Sequence, residues 1–163
     1  SIEQTAAFLG LNLSRYQRLV AANDRGYIPE MFKACARNAE ISEIRKLDRH
    51  IQGATEEDEK LGRRAILKKK YVGEVIVIES DTERFSTITD RLYPYEKLLI
   101  FKEEQLVYYG SGISEIIKEL GNFIDAGKAY WGGGEFGFFG LVKGKTTAKT
   151  INEVKEKIIT IIQ

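Results

Sequence analysis

The sequence has one cysteine, Cys35, and one histidine, His50, in 163 residues. A single cysteine excludes an intramolecular disulfide framework, and no His/Cys cluster has zinc-ligand spacing, so a reducing interior, the cytoplasm, is the expected compartment. Long apolar runs are missing too. None approaches the roughly 20 residues that cross a bilayer, and the N-terminus lacks the basic start and apolar core of a signal peptide, so no membrane is expected as a partner. Charge of one sign is not in excess either: the net charge of +1 exerts no global pull on nucleic acid. Residues 1–70 carry 14 basic and 10 acidic groups and residues 71–163 carry 11 and 14, an imbalance that ordinary solvated surface accounts for. There is no Walker loop, no GxSxG elbow and no dinucleotide fingerprint between strand and helix, which sets those classes aside.

What is present is a globular composition, 43% hydrophobic and 30% charged with two prolines, long enough for one medium domain or two small ones. The first part reads as helices. Ile2 to Leu9 forms one that stops at Gly10; a second follows Ser14, with Leu13, Tyr16, Leu19 and Val20 at helical spacing, and ends at Gly26. Pro29 opens a third. Ile41, Ile44, Leu47 and Ile51 make an apolar stripe, and Thr55 with Asp58 caps a charged helix running through Lys70.

At residue 71 the pattern changes. Val72 to Ile78 is a β-branched run read as a buried strand, and Ser80, Asp81 and Thr82 cap a helix that reaches Leu92 before Pro94. Lys97 to Lys102 and Leu106 to Tyr109 read as a hairpin. Ser114 caps a helix whose Ile116, Ile117, Leu120, Phe123 and Ile124 share one face, with Gly127 beyond its end. Strands follow around 128–131 and 135–143, then a helix from Thr150 to Ile162 with Ile151, Val154, Ile158 and Ile162 inward. The expectation is an α+β, α/β-like fold: a helical segment over residues 1–70, then over 71–163 a mixed sheet covered by helices.

The most unusual stretch runs from Trp131 to Gly140 and contains Gly132, Gly133 and Gly134 in succession. Consecutive glycines admit positive φ and let backbone N–H groups approach an anion; Lys143 and Lys145 add positive charge, and the flanking aromatics offer faces for a base. Equally, glycines mark close backbone packing, and alternating Phe and Gly fill a sheet face. Asp24, at the end of an apolar helix, has the chemistry of a hard-cation ligand, or is a solvated carboxylate beside Arg25. His50 and Cys35 have no catalytic constellation around them; His50 reads as structural or surface and Cys35 as a small buried residue. The run Lys68-Lys69-Lys70 reads as a solvated helix end.

Taken together, the segment from Ser1 to Leu9, the segment from Leu19 to Tyr27, the charged helix and the sheet domain with Gly132-Gly133-Gly134 resemble the later part of DHH-type phosphoesterases, in order across nearly the whole chain. In that family an aspartate ending an apolar segment helps bind catalytic Mn²⁺ or Mg²⁺, and a helical connector leads to an associated domain whose Gly-Gly-Gly-His motif grips the phosphate-bearing substrate. The resemblance implies that Asp24 is a metal ligand and that Gly132, Gly133, Gly134 and Glu135 lie at the substrate, where the charge of Lys143 would add to the phosphate site. It implies as substrate a nucleotide or single-stranded nucleic acid. Glu135 stands where the motif has histidine, an acceptor in place of a donor, and the strand bearing Tyr108 and Tyr109 lacks the family's arginine. The N-terminal aspartate motifs and the Asp-His-His signature are absent. The expectation is therefore a C-terminal part of a longer hydrolase, inactive alone. Two alternatives stand beside it: a noncatalytic nucleotide or nucleic-acid binding module, and a homodimerising structural domain with Phe136, Phe138 and Phe139 as core or interface.

Overall fold

The computed structural model describes residues 2–133 and 136–163, and these form two compact units, residues 1–55 and 56–163. The charged helix thus falls in the same compact unit as the sheet.

The first unit holds α1 (Ile2–Phe8), α2 (Arg15–Lys33) and α3 (Asn38–Ile51). Ser14 and Gln17 form a reciprocal capping box at the start of α2, Ser14 Oγ accepting from the Gln17 amide and Gln17 Oε1 from the Ser14 amide, which satisfies two groups that a helix end leaves open. α2 is two helical segments joined at a break, with Gly26 at φ −172° and Tyr27 at φ 56°. The sequence expects this pair of helices, because Gly26 ends one and Pro29 fits the first turn of the next. Leu47 and Ile51 depart from the expected stripe. Ile41 and Ile44 are buried, but Leu47 and Ile51 are exposed; buried Arg45 and Arg49 take the inward positions instead.

The second unit runs α4 (Glu56–Leu67), β1 (Lys70–Val72), β2 (Val75–Glu79), α5 (Ser86–Leu92), β3 (Lys97–Lys102), β4 (Gln105–Gly110), α6 (Ile113–Asp125), β5 (Ala129–Gly133), β6 (Gly137–Leu141) and α7 (Ala148–Ile162). The six strands form one sheet in the order β1-β2-β3-β4-β6-β5. β2 and β3 are parallel, with α5 between them in sequence, and every other pair is antiparallel. Side chains alternate between the faces as a pleated strand requires. Leu99, Leu106, Tyr108, Phe139 and Leu141 pack with Ile116, Leu120, Val154 and Ile158 of α6 and α7. Ile78, Leu98, Ile100 and Val107 pack with Ala65, Phe85 and Ile88 on the α4 and α5 side. The result is helices, sheet, helices: the mixed sheet expected, covered on both faces.

Several local expectations are corrected. The β-branched run is not one strand but β1 and β2 joined around Gly73, which sits at φ 58°. Ser80 does not cap a helix; its hydroxyl bonds Thr82 within a loop, and α5 starts at Ser86. α6 is entered through Gly112, not Ser114. α4 stays with the sheet because its polar face is used as well as its thin apolar one: Asp58 accepts from Thr82 Oγ1 at 2.6 Å, Glu59 pairs with Arg91, and Gly62 packs so close to Thr87 that a Cβ there would fall 2.3 Å from Thr87 Oγ1.

Candidate functional site

β5 is an edge strand, and its pairing with β6 shows what the glycines do. Gly132 faces Phe138 across the ladder and Gly140 faces Tyr130. A Cβ on Gly132 would lie 2.6 Å from the Phe138 ring, and one on Gly140 would lie 2.4 Å from the Tyr130 ring. Each ring therefore lies over the glycine opposite it, the arrangement by which an aromatic covers a bare stretch of strand. Tyr130 and Phe138 then meet with centroids 6.1 Å apart. For Gly132, close packing accounts for the residue.

Gly133 is different. It sits at φ 81° opposite Gly137, and a Cβ on it would fall 2.7 Å from the Gly137 Cα. Gly137 in turn pairs with Gly110 of β4, so Gly133, Gly137 and Gly110 form a row across three strands at one end of the sheet. No side chain stands on that row. Beside it lies a chain of rings: Tyr95 meets Tyr93, Tyr109 and Phe136 with centroids 6.3 Å apart in each case. Tyr93, Tyr95 and Tyr109 are half-buried and Phe136 is 53% exposed. Gly133 and Gly137 present backbone without side chains beside these rings, whereas Gly110 is buried under the Glu96 carbonyl oxygen; a flat group could stack on the rings with a polar group against the first two glycines. Sequence reading did not single out Tyr93, Tyr95 or Tyr109; the signal was there in the spacing of Tyr93 and Tyr95 just before β3, with Tyr109 paired into β3 at Leu98.

The remaining expected residues do not gather here. Gly134 and Glu135 lie outside the described residues. Lys143 is past the far end of β6: six residues separate it from Gly137, on the order of 20 Å at strand rise. Its ammonium pairs with Glu83 at 2.6 Å and holds that carboxyl below its ordinary range. Lys143 and Gly133 cannot hold one phosphate. Lys145, at the same far end, donates to the Gly127 carbonyl at 3.0 Å.

Asp24 lies in the first unit, exposed, just before the break at Gly26 in α2. The residue before it, Asn23, is buried and accepts from Arg45 at 2.9 Å. Among the described residues no three His, Cys, Asp or Glu side chains come together in a way that holds a metal ion. Asp24, as an exposed carboxylate, offers a single oxygen donor. Cys35 corrects an expectation: it is exposed, at φ 56°. His50 is exposed. No helix among the described residues is long and apolar enough to cross a membrane.

The fold and this surface define a class: an α/β module whose sheet end carries a glycine row flanked by rings. No family model matches the chain, and no curated protein matches it.

Proposed function

We propose that the chain is the substrate-holding C-terminal part of a DHH-type phosphoesterase, whose second unit grips a nucleotide or the end of a single-stranded nucleic acid at the glycine row. The observation that carries this reading is the juxtaposition of Gly110, Gly137 and Gly133 with the rings of Tyr95, Tyr109 and Phe136. The backbone takes the phosphate and the rings take the base. Hydrolysis belongs to the longer protein, with Asp24 contributing one ligand to Mn²⁺ or Mg²⁺ and the missing ligands supplied from outside this chain. The chain alone binds substrate and leaves it intact.

Base stacking on an aromatic contributes about 1–3 kcal/mol, so Tyr95→Ala weakens binding of a 5′-phosphorylated trinucleotide by about 5- to 150-fold in titration calorimetry. Unchanged affinity in a folded Tyr95→Ala protein sinks the proposal. A form extended at the N-terminus hydrolyses the same trinucleotide only with added Mn²⁺ or Mg²⁺; turnover in chelator contradicts the phosphoesterase part.

One observation favours a second reading, homodimerisation. Tyr130 and Trp131 are 42% and 49% exposed on edge strand β5, and an open edge is a template for pairing. Sedimentation of the chain with Trp131→Lys separates the two: a dimer lost in the variant with trinucleotide binding kept assigns the edge to association and leaves the glycine row to substrate.

A further inference from the structure

At the end of the sheet opposite the glycine row is an open cleft of about 640 Å³ lined by Glu104, Phe123, Lys128, the Gly144–Ala148 loop, Thr150 and Glu153. That volume falls in the range of about 300–1,000 Å³ typical of small-molecule sites. We propose that this cleft binds an organic phosphate monoester of nucleotide size, at a site separate from the glycine row.

The loop feeds directly into α7, a 15-residue helix. The first N–H groups of a helix have no partner within it and carry the positive end of its dipole. Thr147 caps only one of them, accepting from the Thr150 amide at 3.3 Å, while its hydroxyl also meets that of Thr150 at 3.0 Å. The amides of Ala148, which lines the cleft, and Lys149 belong to the first turn and have no partner within the helix.

A second, independent feature is Thr146. It is 9% exposed, it lines the cleft, and its Oγ1 is buried with no hydrogen-bond partner in the protein. Leaving a buried hydroxyl unpaired is costly, and a phosphate oxygen beside it would supply the missing bond. Its neighbours Thr147 and Thr150 are both satisfied; Thr146 alone is not.

The charges agree with an anion bound at the loop. Lys128 and Lys145 line the cleft, Lys145 braced by the Gly127 carbonyl. Of the two acids, Glu153 lies 3.9 Å from the Lys149 ammonium, which offsets it; Glu104 sits on the β3–β4 turn. Phe123 provides an apolar wall against which the organic part packs, and the cleft is larger than inorganic phosphate needs. The register fixes the separation from the glycine row: β5 begins beside Lys128 and ends at Gly133, five residues or about 17 Å away.

Titration of the ¹⁵N-labelled chain with adenosine monophosphate tests this. Shifts are expected in the amides of Gly144, Lys145, Thr147, Ala148 and Lys149, at concentrations several-fold lower than inorganic phosphate requires. Thr146→Val is expected to weaken binding about tenfold while leaving the melting temperature of the unliganded protein equal or higher, because it deletes a hydroxyl that bonds nothing in the protein. A purely structural Thr146 would lower the melting temperature instead. Lys128→Gln, at an exposed position, gives the same loss of affinity without touching the buried loop. Unmoved loop amides, or wild-type affinity in both variants, overturn the site. Shifts confined to Gly133 and Gly137 also overturn it while supporting the glycine row, so the two sites fail separately.

Discussion

Arg45 ties three parts of the first unit together. Its side chain is 6% exposed, and its guanidinium donates to Asn23 at 2.9 Å and Asp48 at 2.6 Å and lies 5.1 Å from the centre of the Tyr27 ring. Tyr27 is a bulky residue at positive φ, a conformation that persists only where the surroundings enforce it. Arg45→Ala leaves Asn23 and Asp48 without that donor and frees the ring, so it is expected to cost about 3 kcal/mol, read as a lower denaturation midpoint of the helical unit. A change below about 0.5 kcal/mol, the scatter of ordinary surface substitutions, would contradict the clamp. Glu40 is the other constrained residue. Hydrogen bonds from Arg15, then from the Arg37 side chain and backbone, hold its carboxyl well below the ordinary glutamate range. A depressed folded value means the stabilisation is complete above the usual glutamate pKa and disappears as pH falls through the folded one. Glu40→Gln is therefore expected to flatten the acid limb of the unfolding curve and leave it otherwise similar; an unchanged acid limb contradicts the assignment. None of this was legible from sequence, where no local pattern marks either Arg45 or Glu40.

At the scale of elements, local backbone rules read well and long-range ones did not. Gly26 and Pro29 announced the break in α2 because φ freedom and a missing amide act within a few residues. The turn at Gly73 was hidden because β-branched residues on both sides of it, from Val72 to Ile78, mimic one buried strand. α4 looked like a connector because its apolar stripe is narrow, Gly62, Ala65 and Ile66, and its acids find partners far along the chain. The glycines also divide by element. Gly110 sits at φ 140° with a prospective Cβ 2.1 Å from the Glu96 carbonyl oxygen, a backbone atom that cannot swing aside. Gly140 faces only the Tyr130 ring, which is 42% exposed and free to move outward. Gly110→Ala is expected to cost about 3 kcal/mol, combining positive-φ strain with overpacking, and Gly140→Ala about 1 kcal/mol. Thermal denaturation of the pair checks the order, and equal costs would contradict the geometry.

For the whole molecule, the α+β class and the mixed sheet under covering helices were readable from the alternation of strand and helix patterns. The composition of the candidate site was readable only in part. Gly133 was found by its neighbours in sequence, whereas Gly110, Tyr95 and Tyr109 join it through strand pairing that no local pattern encodes. Lys143 shows the converse error. Six residues from Gly137 in sequence, it ends beyond the opposite edge of the same strand because a strand carries its ends apart. The lysines and threonines that follow belong to the cleft over α7. The two proposed oxyanion surfaces thus lie at opposite ends of one sheet. Whether the glycine row and its rings hold the nucleotide is read from an NMR titration of the ¹⁵N-labelled chain with a 5′-phosphorylated trinucleotide. Saturable shifts are expected in the Gly133 and Gly137 amides together with the ring protons of Tyr95, Tyr109 and Phe136; those resonances staying fixed while the trinucleotide binds elsewhere, or does not bind, would contradict binding at the row.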